Sequence, residues 1–422
     1  MSQPPEIFFG WRVVGAAFIV AVFGWGISFY GPPIFLQALH SSRGWSVSMI
    51  SAAITTHFLF GAVVVANLAA LHRHFGVAVV TRTGATLTAC GLLGWALARE
   101  PWELFLATPI SGAGWAMTSA AALNAMVAPW FTARRPAALS MAFNGASLGG
   151  VVFSPLWVAL IGQLGFPRAA LLVAAAVMLV IWFLAGRYLN RDPAAMGLQA
   201  DGDTALVSPG RRGPIAAAPL RRPWRNRRFL TLAAAATLSL FAQIGLIAHL
   251  FSMLVPTLGE AGAGVAMGAA TACAIGGRSL LGMAMPADAD RRKIAAANVT
   301  IQAVGSVVLL SAGASVPLLL LGCALFGLGL GNVTSLPPLI AQTEFNPADV
   351  SRVVALVTAT SQAGYAFAPA VFGLLRGLGD TGASAGHAPA LFATAAVIQL
   401  AAAGAVLLGR AIKSEANRKR LA

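Results

Sequence analysis

Arg278 is the residue whose type and position most directly suggest chemistry. It lies near the middle of the apolar stretch from Gly262 to about Met285, which is long enough to cross a bilayer. A cation at the bilayer centre costs about 3 kcal/mol even on lenient insertion scales. The carboxylates of the chain all fall outside such stretches or at their rims, so no internal acid offsets that cost. The position therefore predicts a site for an anionic ligand.

The helix face around Arg278 carries small side chains. Thr271 and Ala274 lie seven and four residues before it, and Gly282 lies four residues after it. This face leaves room beside the guanidinium for a carboxylate, which an arginine binds through two parallel hydrogen bonds. The alternative is that Arg278 bonds backbone carbonyls or extends toward the membrane surface. We expect contact with a ligand carboxylate.

Two further stretches place polar side chains on one helical face. They are Ser140, Asn144, Ser147 and Ser154 in the first stretch, and Thr358, Ser361, Gln362 and Tyr365 in the second. Such stripes line a water-filled cavity, or they join helices by hydrogen bonds of about 0.6 kcal/mol each. Both interpretations stay open. We expect the side chains that hydrogen-bond the substrate beside Arg278 to be Tyr30 of span one together with Asn144, Gln362 and Tyr365 of the two stripes.

His57 and His249 are the two histidines inside apolar stretches. Histidine titrates near neutral pH, so either residue can carry a coupling proton. For each of them the alternative is a buried neutral ring that is satisfied by one backbone carbonyl. Both are retained as candidates for proton coupling.

Arrangements typical of metal binding or catalysis are not visible in the sequence. Cys90, Cys273 and Cys323 are isolated within apolar stretches, and His72 and His74 lie in a short loop without further ligands. The chain also shows no Ser-His-Asp or Cys-His arrangement and no paired carboxylates. We therefore expect no metal, no cofactor and no enzymatic activity.

The elements that must position these residues are membrane-spanning helices. Hydrophobic residues make up 58% of the 422 residues and charged residues only 10%, whereas soluble proteins average about 45–50% and 25%. Apolar windows of about 20 residues recur along the whole chain, which excludes an ordinary soluble domain. Because hydrocarbon offers no water to backbone groups, each crossing must be helical. The sequence therefore predicts an all-α membrane protein.

The sequence contains twelve candidate spans. They cover residues 11–38, 46–71, 77–98, 103–129, 137–162, 168–188, 229–256, 263–286, 294–312, 317–341, 351–376 and 388–409. A polar segment rich in proline and glycine divides them six and six. We therefore predict a six-helix bundle over 1–188, a linker over 189–228 and a second six-helix bundle over 229–422. Spans five and eleven share a polar stripe and an outer proline, which indicates an internal repeat with a binding site between the bundles.

The net charge of +15 indicates membrane topology and does not require a nucleic-acid partner. With both termini cytoplasmic, about 23 of the 28 lysines and arginines fall in cytoplasmic segments or their flanks. We therefore expect a multi-pass protein of a bacterial-type inner membrane, in contact with the lipid bilayer and not with nucleic acid. The basic run at residues 221–228 can hold anionic lipid headgroups or anchor the orientation of the chain.

The arrangement of twelve spans, a central linker and short basic loops after spans two, four, eight and ten resembles the major facilitator superfamily. Residues 10–18, Gly-Trp-Arg-Val-Val-Gly-Ala-Ala-Phe, resemble the opening helix of its monocarboxylate porter and oxalate/formate antiporter branch. Residues 130–131, Trp-Phe, followed by 134–139, Arg-Arg-Pro-Ala-Ala-Leu, are similar to that branch's entry into span five. Residues 278–282, Arg-Ser-Leu-Leu-Gly, match its Arg-x-x-x-Gly pattern. The resemblance implies the major facilitator fold, with Arg278 as the residue that binds the substrate anion.

The chain departs from the family pattern at three places. The loop after span two, residues 71–76, reads Leu-His-Arg-His-Phe-Gly and lacks the aspartate that the superfamily usually carries there. Animal monocarboxylate carriers have a lysine late in span one, where residues 30–33 here read Tyr-Gly-Pro-Pro. They also have an aspartate one turn before the span-eight arginine, where this chain has Ala274. The first departure removes the residue of the usual cytoplasmic charge latch, and the last removes the acid that would exchange protons with the span-eight arginine.

Together the residues and the resemblance imply a secondary active transporter that moves a small, monocarboxylate-like organic anion by alternating access. Proton symport stays open, with His249, His57 or the substrate carrying the proton, and so does anion exchange, which needs no titratable residue. The nearest alternative is an exporter of drug-like or amphipathic compounds on the same fold. A membrane sensor or a membrane enzyme is disfavoured, because the loops are short and no reactive group of residues is visible.

Overall fold

The structure is a computed structural model that describes residues 8–202, 222–286, 289–378 and 388–410. Within these ranges the regular structure is helical. Seven α-helices precede the linker: α1 Phe9–Ser28, α2 Gly31–Arg43, α3 Val47–Leu97, α4 Pro101–Thr118, α5 Ala120–Val127, α6 Arg135–Leu164 and α7 Phe166–Leu184. Seven follow it: α8 Arg227–Ala284, α9 Arg291–Ser311, α10 Val316–Leu330, α11 Asn332–Glu344, α12 Pro347–Tyr365, α13 Ala368–Leu378 and α14 Pro389–Leu408.

The twelve predicted spans correspond to these helices in two ways. Spans one, four, ten and eleven are each built from two consecutive helices, namely α1–α2, α4–α5, α10–α11 and α12–α13. In contrast, α3 contains spans two and three, and α8 contains spans seven and eight. Eight helical segments of the described ranges are long and apolar enough to cross a membrane by length and composition, and two of these hold two predicted spans each.

Glycines divide the two longest helices. Gly76 inside α3 has φ 77°, and Gly259 inside α8 has φ 67°, so both lie in the left-handed region that other residues rarely adopt. At each of them the backbone leaves the helical conformation. Each long helix is therefore two helices joined across a sharp kink, as the predicted boundaries between spans require.

The helices form two sets, α1–α7 and α8–α14, that pack mainly within themselves. We call the end that carries the flanks of the linker the linker end, and the opposite end the far end. At the linker end, Phe9 and Tyr188 lie 6.2 Å apart between ring centroids, and the side chain of Arg228 donates to the carbonyl oxygen of Glu344. The kink at Gly259 lies at the far end.

The contacts that join the two sets gather at the far end. Gly264 of α8 lies against Pro155 and Val158 of α6, close enough that an added Cβ would be 2.9 Å from the Val158 side chain. Between α3 and α13, the hydroxyl of Thr55 accepts a hydrogen bond from the Ala370 backbone N–H at 3.0 Å. The far end is therefore closed by close packing and by this bond.

The two sets separate toward the linker end. One face of α6 carries Val158, Pro155, Val151, Asn144 and Met141 at spacings of three, four or seven residues. The first three pack against the glycines of α8, whereas Asn144 is exposed and Met141 is 54% exposed. Because one face changes from packed to exposed along its length, the space between the sets opens at the linker end.

Candidate functional site

Arg278 lies on α8 where the two sets begin to separate. Its Nε and Nη2 donate to the Gly331 carbonyl oxygen at 3.3 and 3.2 Å, and its Nη1 donates to Asn144 Oδ1 at 3.3 Å. Gly331 lies at the joint between α10 and α11, whereas Asn144 belongs to α6 in the other set. The guanidinium therefore bridges the two helix sets.

The guanidinium of Arg278 has donors to spare. It carries five N–H groups, and the three bonds use one each from Nε, Nη1 and Nη2. Nη1 and Nη2 each retain one N–H without a partner in the part of the chain that the structure describes, and no carboxylate of that part contacts them. The structure thus shows a backbone carbonyl bond, as in the alternative considered for Arg278, together with two N–H groups that are left for other acceptors.

Tyr30 completes a small group of polar side chains around Arg278. It lies at the joint between α1 and α2, is 7% exposed, and is within electrostatic range of Arg278. Its ring and the side chain of Thr271 meet at Gly150 of α6, where an added Cβ would be 2.7 and 2.5 Å from them. We call Tyr30, Asn144 and Arg278 the Arg278 site. Three of the five predicted substrate-binding residues therefore lie together.

The other two predicted binding residues, Gln362 and Tyr365, lie on α12. Gln362 is 9% exposed, and the ring of Tyr365 packs edge-on against Phe58 of α3, with centroids 5.9 Å apart. Phe58 is 6.3 Å from Phe29, and Phe29 is 5.0 Å from Tyr30. A row of aromatic rings therefore leads from Tyr365 to the Arg278 site.

His57 lies inside the first set. Its Nδ1 is 2.7 Å from the hydroxyl of Ser111 on α4, and Trp95 Nε1 donates to the same hydroxyl at 3.1 Å. The ring is 1% exposed, and Gly112 approaches the His57 backbone so closely that a Cβ there would be 2.1 Å from its carbonyl oxygen. These contacts favour a structural role in which His57 packs α3 against α4, although the partner of the ring is the Ser111 hydroxyl and not the backbone carbonyl of the alternative.

His249 lies at the far-end closure, where α3, α8 and α13 meet. Its Nε2 is 3.1 Å from the Pro369 carbonyl oxygen. Gly373 of α13 lies close both to His249 and to Ser51 of the first set, because a Cβ on Gly373 would be 3.5 Å from His249 Cε1 and 2.7 Å from the Ser51 side chain. Arg376 donates to the hydroxyl of Ser252, which in turn donates to the His249 carbonyl oxygen at 2.9 Å. The ring is buried and contacts one backbone carbonyl, as in the structural alternative considered for His249, and it lies at the contact between the sets.

Three participants in these contacts were not singled out as functional from the sequence: the carbonyl of Gly331, the ring contact of Thr271 with Tyr30, and the hydroxyl of Thr55. Span ten carries a run of glycines, and Gly327 of this run packs closely against α8, because a Cβ there would be 2.3 Å from the Ala270 carbonyl oxygen. The signal for Gly331 was the same run of glycines followed by Pro337 and Pro338, which is typical of a broken helix.

The linker end of the second set contains a buried ion pair. Arg292 is 1% exposed, and its Nε and Nη2 donate to the two carboxylate oxygens of Glu344 at 2.6 and 2.8 Å. It also donates to the carbonyl oxygens of Val406 and Arg228, both at 2.8 Å. One arginine thus connects the ends of α8, α9, α11 and α14.

In the first set, Asp201 forms hydrogen bonds at the start of α6. The loop after span two lacks the usual aspartate, but Asp201 accepts hydrogen bonds from the backbone N–H groups of Thr132, Ala133 and Arg134 at 2.9, 2.7 and 3.0 Å. Burial alone would raise the pKa of Asp201, but these N–H groups together lower it below its usual value. Asp201 therefore holds the segment after α7 to the start of α6.

Comparison with known proteins adds the family. The profile of the Major Facilitator Superfamily matches residues 14–369. The chain is 31% identical to monocarboxylate transporter 13 of Bos taurus over 177 residues, and this alignment covers 41% of each chain. Over 180 residues it is 30% identical to monocarboxylate transporter 11 of Mus musculus, covering 42% of this chain and 39% of that protein. The chain thus matches about two-fifths of the length of these curated relatives.

Solved structures share the fold. A mutant of the nucleoside transporter NupG superimposes with a TM-score of 0.71 at 11% identity, over 96% of this chain and 100% of the other. A bacterial homolog of the human lysosomal transporter Spinster, in an inward-facing and occupied conformation, superimposes with a TM-score of 0.67 at 14% identity, over 97% of both chains. At these identities the similarity is one of fold.

Proposed function

Because the chain belongs to the Major Facilitator Superfamily, we propose that it is a secondary transporter that moves a small organic anion by alternating access. One observation carries the choice of an anion: the guanidinium of Arg278 lies at the opening between the sets and retains two N–H groups without a partner in the described ranges. A carboxylate accepts two such N–H groups in parallel. The names of the curated relatives, monocarboxylate transporters 13 and 11, support the same ligand class.

The position of the Arg278 site suggests how binding and movement are coupled. Arg278 belongs to the second set, whereas Asn144 and Tyr30 belong to the first. A carboxylate that bonds Arg278 would therefore be contacted from both sides of the opening. Such a ligand stabilises the arrangement in which the sets approach each other, and this differential affinity is what shifts a conformational equilibrium.

The coupling ion and the orientation form a separate part of the proposal. His249 is the better proton-coupling candidate of the two histidines, because it lies in the contact between the sets, whereas His57 packs within one set. Anion exchange remains the alternative and needs no titratable residue. The excess of basic residues near the linker supports a cytoplasmic linker end in an inner membrane, with the bundles divided at residues 189–228.

The proposal is tested by uptake into proteoliposomes. Arg278→Ala should abolish uptake of short radiolabelled carboxylates, because two charge-assisted bonds of about 1.5–3 kcal/mol each are lost. Arg278→Lys keeps the charge but loses the forked geometry, so it should retain only part of the activity. Arg168→Ala, an exposed arginine at the far end, is the matched control and should transport normally. Undiminished uptake by a correctly inserted Arg278→Ala protein would exclude the proposed role of Arg278.

An exporter of amphipathic compounds is the second candidate function. The row of rings from Tyr365 through Phe58 and Phe29 to Tyr30 favours it, because aromatic faces bind apolar bodies. A competition assay separates the two functions. Short carboxylates should inhibit uptake of a labelled carboxylate, whereas lipophilic cations should not, because Arg278 repels them. Inhibition by lipophilic cations alone would favour the exporter.

A further inference from the structure

A second basic site lies at the linker end, away from the Arg278 site. There a cavity of about 500 Å³ opens between the start of α8 and the end of α14. Its lining includes four arginines, Arg225, Arg227, Arg228 and Arg410, and one carboxylate, that of Glu344. The cavity is large enough for a phosphate group and its substituents.

The positive charge of this cavity is largely uncompensated. Both carboxylate oxygens of Glu344 already accept hydrogen bonds from Arg292, and Arg410 is paired with Asp290 at 2.7 Å. By contrast, the guanidinium groups of Arg225 and Arg227 have no partner among the residues that the structure describes. Within the described ranges the cavity therefore offers two unpaired guanidiniums, the groups that bind phosphate oxygens bidentately.

The start of α8 strengthens the positive potential. Asn226 caps this helix by accepting hydrogen bonds from the backbone N–H groups of Arg228 and Phe229 at 2.9 and 3.2 Å. The capped end still carries the positive pole of the helix dipole toward the cavity. An anion in the cavity thus meets both the arginine side chains and the helix terminus.

The residues beside the cavity suit the depth of lipid headgroups. Trp224, which precedes α8, is 54% exposed, and Leu230 in its first turn is 42% exposed. An exposed tryptophan followed by an exposed leucine is typical of the level at which a helix enters the hydrocarbon. A phosphate group held here would have apolar surface directly beside it for acyl chains.

We propose that this cavity binds the phosphate group of an anionic phospholipid. The site lies outside the Arg278 site and does not depend on the proposed transport function. Its arginines bond the phosphate oxygens, while the exposed apolar residues at the start of α8 contact the lipid tails. A soluble phosphate ester offers the same oxygens but has no acyl chain to contact the apolar residues.

Native mass spectrometry of the purified full-length chain tests the proposal. Phosphatidylglycerol should remain bound in preference to phosphatidylcholine. Arg225→Gln combined with Arg227→Gln should weaken phosphatidylglycerol binding about 25-fold, since each arginine near an anionic membrane surface contributes about fivefold. The corresponding lysine pair should keep most of the affinity. The matched control, Arg99→Gln with Arg168→Gln, removes two exposed arginines at the far end and should bind as the parent does.

Three results would overturn the assignment. One is equal binding of phosphatidylglycerol by the parent and the Arg225/Arg227 glutamine pair. Another is an equal loss in the Arg99/Arg168 control, which would mean that binding follows net charge alone. The last is full displacement of the lipid by inorganic phosphate or glycerol phosphate at matched concentration, which would make the cavity a soluble-phosphate site. Thermal unfolding of each variant confirms that it is folded.

Discussion

Replacement of Thr55 by valine is expected to open the far end. In the structure the Thr55 hydroxyl accepts the backbone N–H of Ala370 at 3.0 Å. Ala370 lies in the first turn of α13, where backbone N–H groups have no partner within the helix. Thr55→Val keeps the shape of the side chain and removes the acceptor. The N–H of Ala370, which is part-buried, then has no partner as long as the far end is closed, and it meets water when the far end opens.

The size of the effect follows from that difference. A buried donor without an acceptor costs about 1–3 kcal/mol. Because the cost applies only to the closed arrangement, the ratio of far-end-closed to far-end-open molecules should fall about 5- to 150-fold. Thr88 provides a matched control, since it is 2% exposed and its hydroxyl has no hydrogen-bond partner within the described ranges. Thr88→Val should leave the equilibrium unchanged.

Distances between spin labels measure this equilibrium directly. Labels on Ser42→Cys and Glu260→Cys report the separation of the two sets, because both positions are exposed and lie at the far end. The native cysteines are replaced first. In Thr55→Val the long-distance population should grow, and in Thr88→Val it should not. Identical distance distributions for Thr55→Val and the parent would refute the claim that this hydrogen bond holds the far end closed.

Three further outcomes are expected. Arg292→Gln should lower the thermal unfolding midpoint by several degrees, because removing one member of a buried pair costs about 3–5 kcal/mol; replacing Arg292 and Glu344 together by leucine should recover much of the loss. Gly150→Val should weaken carboxylate binding, measured by calorimetry, because its Cβ would displace the Tyr30 ring; an unchanged affinity would contradict the Arg278 site. Because the pKa of Asp201 is lowered in the folded protein, its ionised carboxylate stabilises the docking of the segment after α7 at pH values above about 3.9, the pKa in the unfolded chain. This stabilisation is lost as the pH falls through the lower pKa of the folded protein. Pepsin should then cut near residue 200 faster, and Asp201→Asn should remove that pH dependence.

The helical fold could be predicted from the sequence because the membrane imposes it. Apolar windows locate each crossing, and the linker stands out by composition. The internal breaks were not predicted: spans five and eleven both carry an outer proline, yet α6 continues through Pro155, whereas the helix of span eleven is interrupted between Tyr365 and Ala368. The positions of the kinks within the two long helices could not be predicted, because nothing in the sequence distinguishes Gly76 and Gly259 from the many other glycines of the chain.

The partners of the site could not be predicted, because periodicity gives the face of a helix but not its neighbour. Asn144 was placed on a polar face, yet its contact with Arg278 joins residues 134 positions apart. The Gly331 carbonyl is chemically the same as every other backbone carbonyl, so no residue type identifies it. His57 and His249 also look alike in sequence. Only their surroundings separate a histidine that packs within one set from one at the contact between the sets.

The spare donors of Arg278 give a physical reason why an empty site would resist closure at the linker end. If the sets approached without a ligand, two N–H groups of Arg278 would be enclosed without acceptors, at about 1–3 kcal/mol each. A bound carboxylate accepts both and removes that cost, so the ligand favours the closed intermediate by the same amount. A transporter with this property exchanges one anion for another more readily than it returns empty. Trans-stimulation, in which internal carboxylate accelerates uptake of labelled carboxylate, should therefore be strong in the parent chain, and equal rates with and without internal carboxylate would show that the empty site closes without penalty.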